Sequence, residues 1–332
     1  MPSLLVAVAD SVFPDLNPAR EVVGRIGADL QLAGEATADA ILRVAAAADA
    51  LLVTYAKITA PMIEKMPRCR IISRFGIGVD NVDLDAATRA GIVVTKVPDS
   101  CLDEVSDHAM ALLLALVRKI PFANAQVHAG GCSMPAVVPI HRVRGSVLGL
   151  VGFGRIPQLV APKAQGFGIK VISYDPFVPQ DVFARAGVER VDFTQLLATS
   201  DYVSVHSPLL PETRNLFNAD AFRQMKPTAY LINTARGPIV DEAALAAALD
   251  AKQIAGAGLD VMPTEPPQGS PLFGRENVII TPHMSFYSEE SLVDLQTRAA
   301  EEVVAVLSGR APRNPVNPDA LGSLNLKVQS EK

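Results

Sequence analysis

The stretch at residues 151–159 reads VGFGRIPQL and joins an apolar run to a helical sequence. The preceding residues, SVLGLV (146–151), have the length and the apolar character of a buried β-strand. Gly152 permits a tight turn, and Gly154 lets the backbone approach a neighbouring group closely because it has no side chain. The stretch therefore predicts a strand, a glycine turn and a helix start, the repeating arrangement of parallel α/β proteins.

The same turn is similar to Gly-x-Gly-x-x-Gly, which binds the pyrophosphate of a dinucleotide, but Pro157 replaces the third glycine. A helix N-terminus offers N–H groups and a positive dipole end to phosphate, and the N–H groups of Arg155 and Ile156 remain for this purpose. The third glycine serves helix–strand packing, so we expect Pro157 to alter packing more than binding. Pro162, inside the same helix, predicts a bend near residues 158–162.

The next strand-like run, VISYDP, ends in Asp175, which lies 21 residues after Gly154. An acid at this distance hydrogen-bonds the adenosine ribose hydroxyls and would repel a 2′-phosphate. The alternative is an ordinary aspartate that caps a turn before Pro176. Strand, turn, helix start and acid together predict a dinucleotide site that prefers NAD to NADP.

Strand-like runs alternate with helical stretches in two series along the chain. The runs are SLLVAVA, ALLVTY, RIISRF and GIVVTKV before residue 100, and SVLGLVGFG, KVISYDP, YVSVHSP, AYLINTA, IAGAGLDV and NVIITPH after residue 145. Such alternation implies parallel sheets with helices on both faces. The predicted fold class is therefore α/β, with two domains.

Three segments lie outside these two series. A helix over 101–119 is apolar nearly all round, so it should be buried, and Ser100 with Asp103 predicts a capping box at its start. Residues 129–145 are rich in glycine and proline and predict an extended arm. A last helix is predicted over 288–309.

Composition excludes several classes of protein. The 332 residues are 49% hydrophobic with a net charge of −5, so no basic field draws the chain to nucleic acid or to an anionic membrane. The N-terminal residues predict a strand rather than a signal peptide, and the apolar run at 109–117 is too short to span a bilayer. The three cysteines have no metal-ligand spacing, and their sparse, odd number favours reduced thiols in the cytoplasm.

Three further side chains lie at the carboxyl ends of strand-like runs, where open α/β sheets bind ligands: Arg236 and His283 just after a strand, and Glu265 in the loop after another. Arg236 could bind a carboxylate through its guanidinium fork. His283 could act as an acid or base near neutral pH, and Glu265 could orient that imidazole and hold its proton. Each also has an ordinary structural interpretation as a surface or loop residue.

At this point the chain resembles a known family nearly end to end, the NAD-dependent D-isomer-specific 2-hydroxyacid dehydrogenases. It is most similar to the branch that includes C-terminal-binding-protein-like dehydrogenases. The resemblance rests on SRFGIGVDNVDLDAATRAGIVV, VSDHAMALLLALVRK, VGFGRI, VISYDP, HSPLLPETRNLF, INTARGPIVDEAAL, GAGLDVMPTEPP and TPHMSFYSEES.

The resemblance implies roles for individual residues. Arg236 would bind the substrate carboxylate and carbonyl, His283 would exchange a proton with the substrate oxygen, and Glu265 would pair with His283. Asp260 would hold the nicotinamide amide of the cofactor, NAD. The implied substrate contacts are Tyr55, Gly76, Ile77, Gly78 and Arg236. The predicted cofactor contacts are Gly152, Gly154, Arg155, Ile156, Asp175, His206, Thr234 and Asp260. No metal is implied.

The resemblance also implies an arrangement of two Rossmann/flavodoxin-like domains with the active site in the cleft between them. The substrate-binding domain would comprise residues 1–99 and 286–332, and the NAD-binding domain residues 100–285. A homodimer is implied, with the region 101–145 at its interface. The chain departs from relatives at Phe286 and Cys132, where a tryptophan is frequent, so no particular substrate can be transferred.

Two functions from different classes stay open. The first is an enzyme that reduces a 2-keto acid or oxidises a D-2-hydroxy acid with NAD(H). The second is an NAD(H)-sensing binding module on the same fold, because fold alone does not decide function. The intact arginine, glutamate and histidine set favours the enzyme. An activity like that of phosphoglycerate dehydrogenase is a further alternative, although the sequence leaves no room for an appended regulatory domain.

Overall fold

Two parallel β-sheets form the framework of the protein, in a computed structural model that describes residues 3–324. The chain divides into two units. The first unit comprises the residues before Cys101 and those after Tyr287, and the second spans Cys101–Tyr287. The predicted α/β class with two parallel-sheet domains is confirmed. The predicted domain limits and the roles of the two domains stay predictions.

The first unit contains a five-stranded sheet in the order β2-β1-β3-β4-β5. Its strands are β1 (Leu4–Val8), β2 (Ala28–Leu32), β3 (Ala50–Val53), β4 (Ile71–Arg74) and β5 (Val93–Thr95). Its first helices are α1 (Asn17–Gly24), α2 (Ala38–Ala45), α3 (Ala60–Ile63) and α4 (Leu84–Arg89). Strands β3, β4 and β5 are buried along their whole length. Burial on both faces explains why β3 appears as a continuous apolar run, ALLV, in the sequence.

The second unit contains a seven-stranded sheet in the order β12-β11-β10-β9-β6-β7-β8. Its strands are β6 (Val147–Val151), β7 (Lys170–Tyr174), β8 (Glu189–Arg190), β9 (Tyr202–Val205), β10 (Tyr230–Asn233), β11 (Gly256–Leu259) and β12 (Val278–Ile280). Its helices are α5 (Leu102–Val117), α6 (Ile120–His128), α7 (Arg155–Gly166), α8 (Gln180–Arg185), α9 (Phe193–Thr199), α10 (Ala219–Gln224) and α11 (Glu242–Asp250). The strand order reverses between β6 and β9, and ligands bind open α/β sheets at such switch points.

The last helix, α12 (Glu289–Leu307), returns the chain to the first unit. Ser288 and Ser291 form a capping box at its start. The hydroxyl of Ser73 in β4 donates to the carbonyl of Ala299, so α12 packs directly on the first sheet. The helix lies within the predicted range 288–309. Single-turn or two-turn 3-10 helices occur at Met134–Val137, Gly237–Ile239 and Pro318–Leu324.

The helix predicted over 101–119 differs from the observed one at both ends. It begins at Leu102 after Cys101, without a side-chain cap. The predicted capping box is therefore wrong, and the Ser100 hydroxyl is buried without a hydrogen-bond partner among the described residues. Lys119 adopts a left-handed conformation with φ 52°, which separates α5 from the unpredicted helix α6. The predicted arm at 129–145 contains one short 3-10 helix.

Among residues 3–324, no single helix is long and apolar enough to cross a membrane. Helices α5 and α6 meet the criteria of length and composition only as a pair, with a bend of 59° between them. Half of the residues of α5 are buried in the second unit, and a buried core helix meets the same criteria. The pair is therefore a weak indication of a membrane span.

Candidate active site

The glycine turn after β6 requires glycine at position 152. Gly152 has φ +94°, and a Cβ there would lie 3.0 Å from the carbonyl carbon of His206 and the nitrogen of Ser207. The N–H of His206 donates to the carbonyl of Val151. The glycine turn after β6 and the loop after β9 are therefore in backbone contact at the β6–β9 switch point, where the sequence motif predicts a tight turn.

Gly154 leaves open space above the start of α7. It is the N-cap of the helix in an extended conformation, and a Cβ there would meet no atom within 4 Å. Arg155 and Ile156 occupy the first turn, where N–H groups lack intrahelical acceptors. Pro157 is buried, which fits the expectation that this substitution concerns packing. The predicted bend at Pro162 stays a prediction.

Asp175 follows β7 beside the glycine turn. Its Oδ2 accepts from the N–H of Phe153 at 2.8 Å, and its Oδ1 accepts from the N–H groups of Phe177 and Val178. The aspartate therefore caps the following turn, which is the ordinary alternative considered above. It also lies next to the glycine turn, where a ribose contact requires it, so the two roles are compatible.

Unsatisfied hydroxyls lie near the carboxyl ends of β9 and β10. Among the described residues, Thr234 Oγ1 and Ser207 Oγ are buried and have no hydrogen-bond partner. The ring of His206 contacts the Ser204 hydroxyl at 2.9 Å, and burial lowers the pKa of His206 to about 3, so the imidazole is neutral at pH 7. Orphaned donors of this kind and the open space above Gly154 fit a polar ligand such as a dinucleotide.

Gly152→Ala is expected to lower both thermal stability and NADH affinity, because alanine at positive φ costs about 1–2 kcal/mol and its Cβ crowds His206. Gly154→Ala is the matched variant. It should leave the melting temperature unchanged and weaken NADH binding at least about tenfold, which corresponds to 1.4 kcal/mol, because its methyl would occupy the space in which the pyrophosphate is predicted to bind. Thermal unfolding and NADH fluorescence titration measure the two effects. Unchanged NADH affinity in Gly154→Ala would contradict the assignment of the turn.

His283 follows β12 in a strained backbone conformation. Its φ is +52°, which is unusual for a residue other than glycine and is concentrated at functional sites. Its N–H donates to the carbonyl of Asp260 at 2.8 Å. Its ring Nδ1 lies 2.6 Å from Oε2 of Glu265, and both side chains are partly exposed. The structure therefore brings together two of the three predicted catalytic side chains.

Glu265 is held by its own loop. Its Oε1 accepts from the N–H of Met262 at 3.0 Å, so one carboxylate oxygen fixes the loop after β11 and the other contacts His283. The same loop touches the segment after β10, because a Cβ on Gly237 would overlap the backbone of Met262. Glycine is required there for the two loops to pack.

Arg236 lies immediately before that glycine. Its carbonyl accepts from the Asn233 side-chain amide at 2.9 Å, and its Nη1 donates to the carbonyl of Ala235 at 2.8 Å. Arg236, Glu265 and His283 thus follow β10, β11 and β12, which are neighbours in the sheet. Because the strands are parallel, all three loops lie at the same edge.

Asp260, which the resemblance assigns to the nicotinamide amide, makes several hydrogen bonds to the loop that carries His283. Its side chain is fully buried, and its carboxylate accepts from the Thr281 hydroxyl at 2.6 Å and from the N–H groups of Met284 and Ser285 at 2.9 Å. These bonds fix the loop that carries His283. The sequence did not predict that Asp260 fixes this loop. The one signal for it is a polar residue, Thr281, two positions before His283. A contact of Asp260 with the nicotinamide amide stays a prediction.

The predicted substrate contacts in the first unit lie at one edge of its sheet. Tyr55 follows β3, and its N–H donates to Oδ2 of Asp10 at 2.6 Å. The loop 76–78 follows the adjacent strand β4. Gly76 has φ +147°, and a Cβ there would overlap the Arg74 guanidinium, so this position also requires glycine. Substrate binding by these residues and the predicted location in a cleft stay predictions.

Comparison with known proteins shows the family to which the chain belongs. Residues 110–285 match the family model described as the D-isomer specific 2-hydroxyacid dehydrogenase NAD binding domain. The chain is 39% identical over 273 residues to a glyoxylate reductase of Thermococcus litoralis, covering 80% of this chain and 82% of that protein. It is 37% identical over 313 residues to a D-3-phosphoglycerate dehydrogenase of Methanocaldococcus jannaschii, covering 94% of this chain.

Solved structures show the same fold along nearly the whole chain. The TT0316 protein of Thermus thermophilus matches with a TM-score of 0.86 and 34% identity, covering 94% of this chain and all of that one. D-lactate dehydrogenase of Aquifex aeolicus, in complex with NAD and lactic acid, matches with a TM-score of 0.82 and 27% identity, covering 96% and 98%. The chain spans little more than half the length of the phosphoglycerate dehydrogenases that it matches. It belongs to the D-isomer specific 2-hydroxyacid dehydrogenase family, and the match to the NAD binding domain model of that family lies within its second unit.

Proposed function

We propose that this protein is an NAD(H)-dependent oxidoreductase that interconverts a 2-keto acid and a D-2-hydroxy acid. The observation that carries the proposal is the 2.6 Å contact between His283 Nδ1 and Glu265 Oε2 in the NAD-binding domain. Arg236 follows the neighbouring strand of the same sheet. Relatives named as a glyoxylate reductase and a D-lactate dehydrogenase support this activity.

In the proposed reduction, Arg236 binds the substrate carboxylate through its guanidinium fork and orients the keto group. NADH, when bound, supplies the hydride. In the doubly protonated ring, the Nδ1–H of His283 donates a hydrogen bond to Glu265. The Nε2 proton is then transferred to the keto oxygen, which leaves a neutral imidazole that is still bound to Glu265. In the oxidation direction, Nε2 takes that proton back from the hydroxyl group. No metal ion takes part in this scheme.

The cofactor preference is proposed to depend on Asp175. A carboxylate beside the glycine turn repels a 2′-phosphate, so kcat/KM for NADH should exceed that for NADPH at least about tenfold, which corresponds to 1.4 kcal/mol. Asp175→Asn is the informative variant. It keeps an oxygen that accepts from the N–H of Phe153 but removes the charge. The ratio of kcat/KM for NADH to kcat/KM for NADPH should therefore fall, and the protein should still fold. Equal use of both cofactors by the wild-type protein would contradict this assignment.

A homodimer is proposed from the apolar surface of α6 and the arm that follows it. Helix α6 buries none of its residues, and Ile120, Val127, Met134 and Val138 are each more than half exposed. A second copy of the chain would cover this surface, because the same patch can pair with itself about a two-fold axis. Val127→Glu should convert a dimer into monomers in analytical ultracentrifugation, whereas Val293→Glu, at an exposed position of α12, should not. A monomeric wild-type protein would refute the proposal.

A cytoplasmic location is proposed because Cys69, Cys101 and Cys132 are all free thiols. Reduced cysteines persist in that compartment. Labelling of intact cells with a thiol reagent that does not cross membranes should leave Cys132, the exposed cysteine, unmodified.

The function is tested by the oxidation of NADH in the presence of small 2-keto acids. Glyoxylate, pyruvate, hydroxypyruvate and phenylpyruvate represent short, polar and aromatic side chains, and 3-phosphohydroxypyruvate represents the phosphorylated substrate class. Turnover of any of the first four supports the proposal as stated. Exclusive turnover of the phosphorylated acid would favour an activity like that of the phosphoglycerate dehydrogenase relatives. NADH binding without any turnover would favour the NAD(H)-sensing module.

A further inference from the structure

A chain of hydrogen bonds links helix α5 to the loop that carries His283. His108, in the first half of α5, places its Nε2 3.0 Å from the Thr281 hydroxyl. That hydroxyl donates to Asp260 Oδ1 at 2.6 Å. The side chains of His108 and Asp260 are 19% and 0% exposed, so water competes little for these bonds.

The direction of each hydrogen bond follows from the number of hydrogens that each side chain can donate. A threonine hydroxyl has one hydrogen, and Thr281 gives it to the carboxylate of Asp260. Its oxygen can therefore only accept from His108, which requires a hydrogen on Nε2 of that ring. The order of donation is His108 to Thr281 to Asp260, and charge on the carboxylate strengthens the chain.

The chain ends at the strained residue of the active site. Asp260 accepts from the N–H groups of Met284 and Ser285, directly after His283. Its carbonyl accepts from the N–H of His283 itself. A backbone with φ +52° persists only where surrounding bonds determine it, and here those bonds are made by His283 and by the two residues that follow it.

We propose that His108 and Thr281 are positioning residues that hold the His283 loop in its strained conformation through the buried carboxylate of Asp260. They act on the acid–base residue without contacting the keto acid. The consequence for catalysis rests on the proposed function, whereas the consequence for the loop does not. Loss of either residue should release the loop and move the imidazole out of register with the substrate oxygen.

Amide hydrogen exchange tests the loop directly. In His108→Leu and Thr281→Val, protection of the Met284 and Ser285 amides should fall about tenfold, the effect of one lost hydrogen bond to a charged group. His108→Gln and Thr281→Ser keep a donor or a hydroxyl and should retain most of the protection. Leu113→Ala is the control, because Leu113 is buried in α5 outside the chain of bonds. It should lower the free energy of global unfolding, but it should not lower the protection of the Met284 and Ser285 amides more than that of other amides.

Kinetics test the consequence for catalysis. The same two variants should lose kcat about tenfold, with KM and NADH affinity within a factor of three of the wild-type values. NADH fluorescence reports the affinity, since the chain has no tryptophan. The double variant should lose no more than either single variant, because both break one chain of bonds.

Each outcome decides a separate question. Unchanged amide protection in both Thr281→Val and His108→Leu would overturn the positioning proposal, whatever the activity. If His108→Leu does not fold, Thr281→Val still decides, because it removes one hydroxyl oxygen at nearly constant volume. If the wild-type protein reduces no keto acid, the proposed function fails, and the exchange experiment alone decides whether the loop depends on His108.

Discussion

Replacing His283 with alanine is expected to lower kcat by about 10²–10⁴-fold, the usual contribution of a general acid or base. Keto reduction needs a proton on the carbonyl oxygen as the hydride arrives, and the imidazole that contacts Glu265 at 2.6 Å is positioned for this transfer. NADH affinity should stay within a few-fold, because the glycine turn that is predicted to bind the pyrophosphate lies after a different strand, β6.

His283→Asn separates chemistry from backbone strain. Asparagine tolerates positive φ better than alanine, so this variant should keep the loop conformation at φ +52° while it cannot act as an acid. Both variants should lose turnover to a similar extent and should retain the wild-type melting temperature within a few degrees. Near-full turnover of either variant on a good substrate would contradict the proposed acid–base role.

Replacing Arg236 with alanine is expected to raise KM and lower kcat together. A guanidinium that binds a carboxylate through two hydrogen bonds contributes about 2–4 kcal/mol, so kcat/KM should fall about 30- to 1,000-fold. Anchoring and orientation are lost at the same time, because one group performs both. Steady-state kinetics with the best keto acid measure the two parameters.

Arg236→Lys and Arg214→Ala are the controls for this effect. Lysine keeps the charge but not the planar fork. Compared with Arg236→Ala, the lysine variant should therefore have a lower KM but almost the same reduced kcat. Arg214 is exposed in the same unit, and its loss should leave both parameters unchanged. An equal fall in activity in Arg214→Ala and Arg236→Ala would show that the activity depends on the net positive charge of the protein rather than on binding of the substrate carboxylate by Arg236.

The sequence alone predicted the elements that are buried on both sides. Strand β3, for example, appears as a continuous apolar run, ALLV, because helices cover both faces of its sheet. The sequence did not predict β2 (ADLQL) or β8, which has two exposed residues, because neither has an apolar or β-branched run. The interruption between α5 and α6 was also missed, since Lys119 at φ 52° has no signal in its residue type.

The side chains of the candidate site that follow strands could be predicted from the sequence. The contacts between residues far apart in the sequence could not. Arg236, Glu265 and His283 each follow a strand, so their shared edge could be expected. The contact of His108 with Thr281 spans 173 residues of sequence, and no local pattern indicates it. The buried environment of Asp260 likewise arises from backbone N–H groups, which every residue carries.

The most direct measurement of the central claim is the identity of the product. Wild-type protein is incubated with NADH and the best 2-keto acid whose product has a stereocentre, which excludes glyoxylate because its product, glycolate, is achiral. The hydroxy acid is then resolved by chiral chromatography alongside NADH consumption. The account predicts one D-2-hydroxy acid formed for each NADH oxidised, and at least about a hundredfold less in the same time with His283→Ala. Formation of the L-isomer, or binding of NADH without consumption of any keto acid, would contradict it.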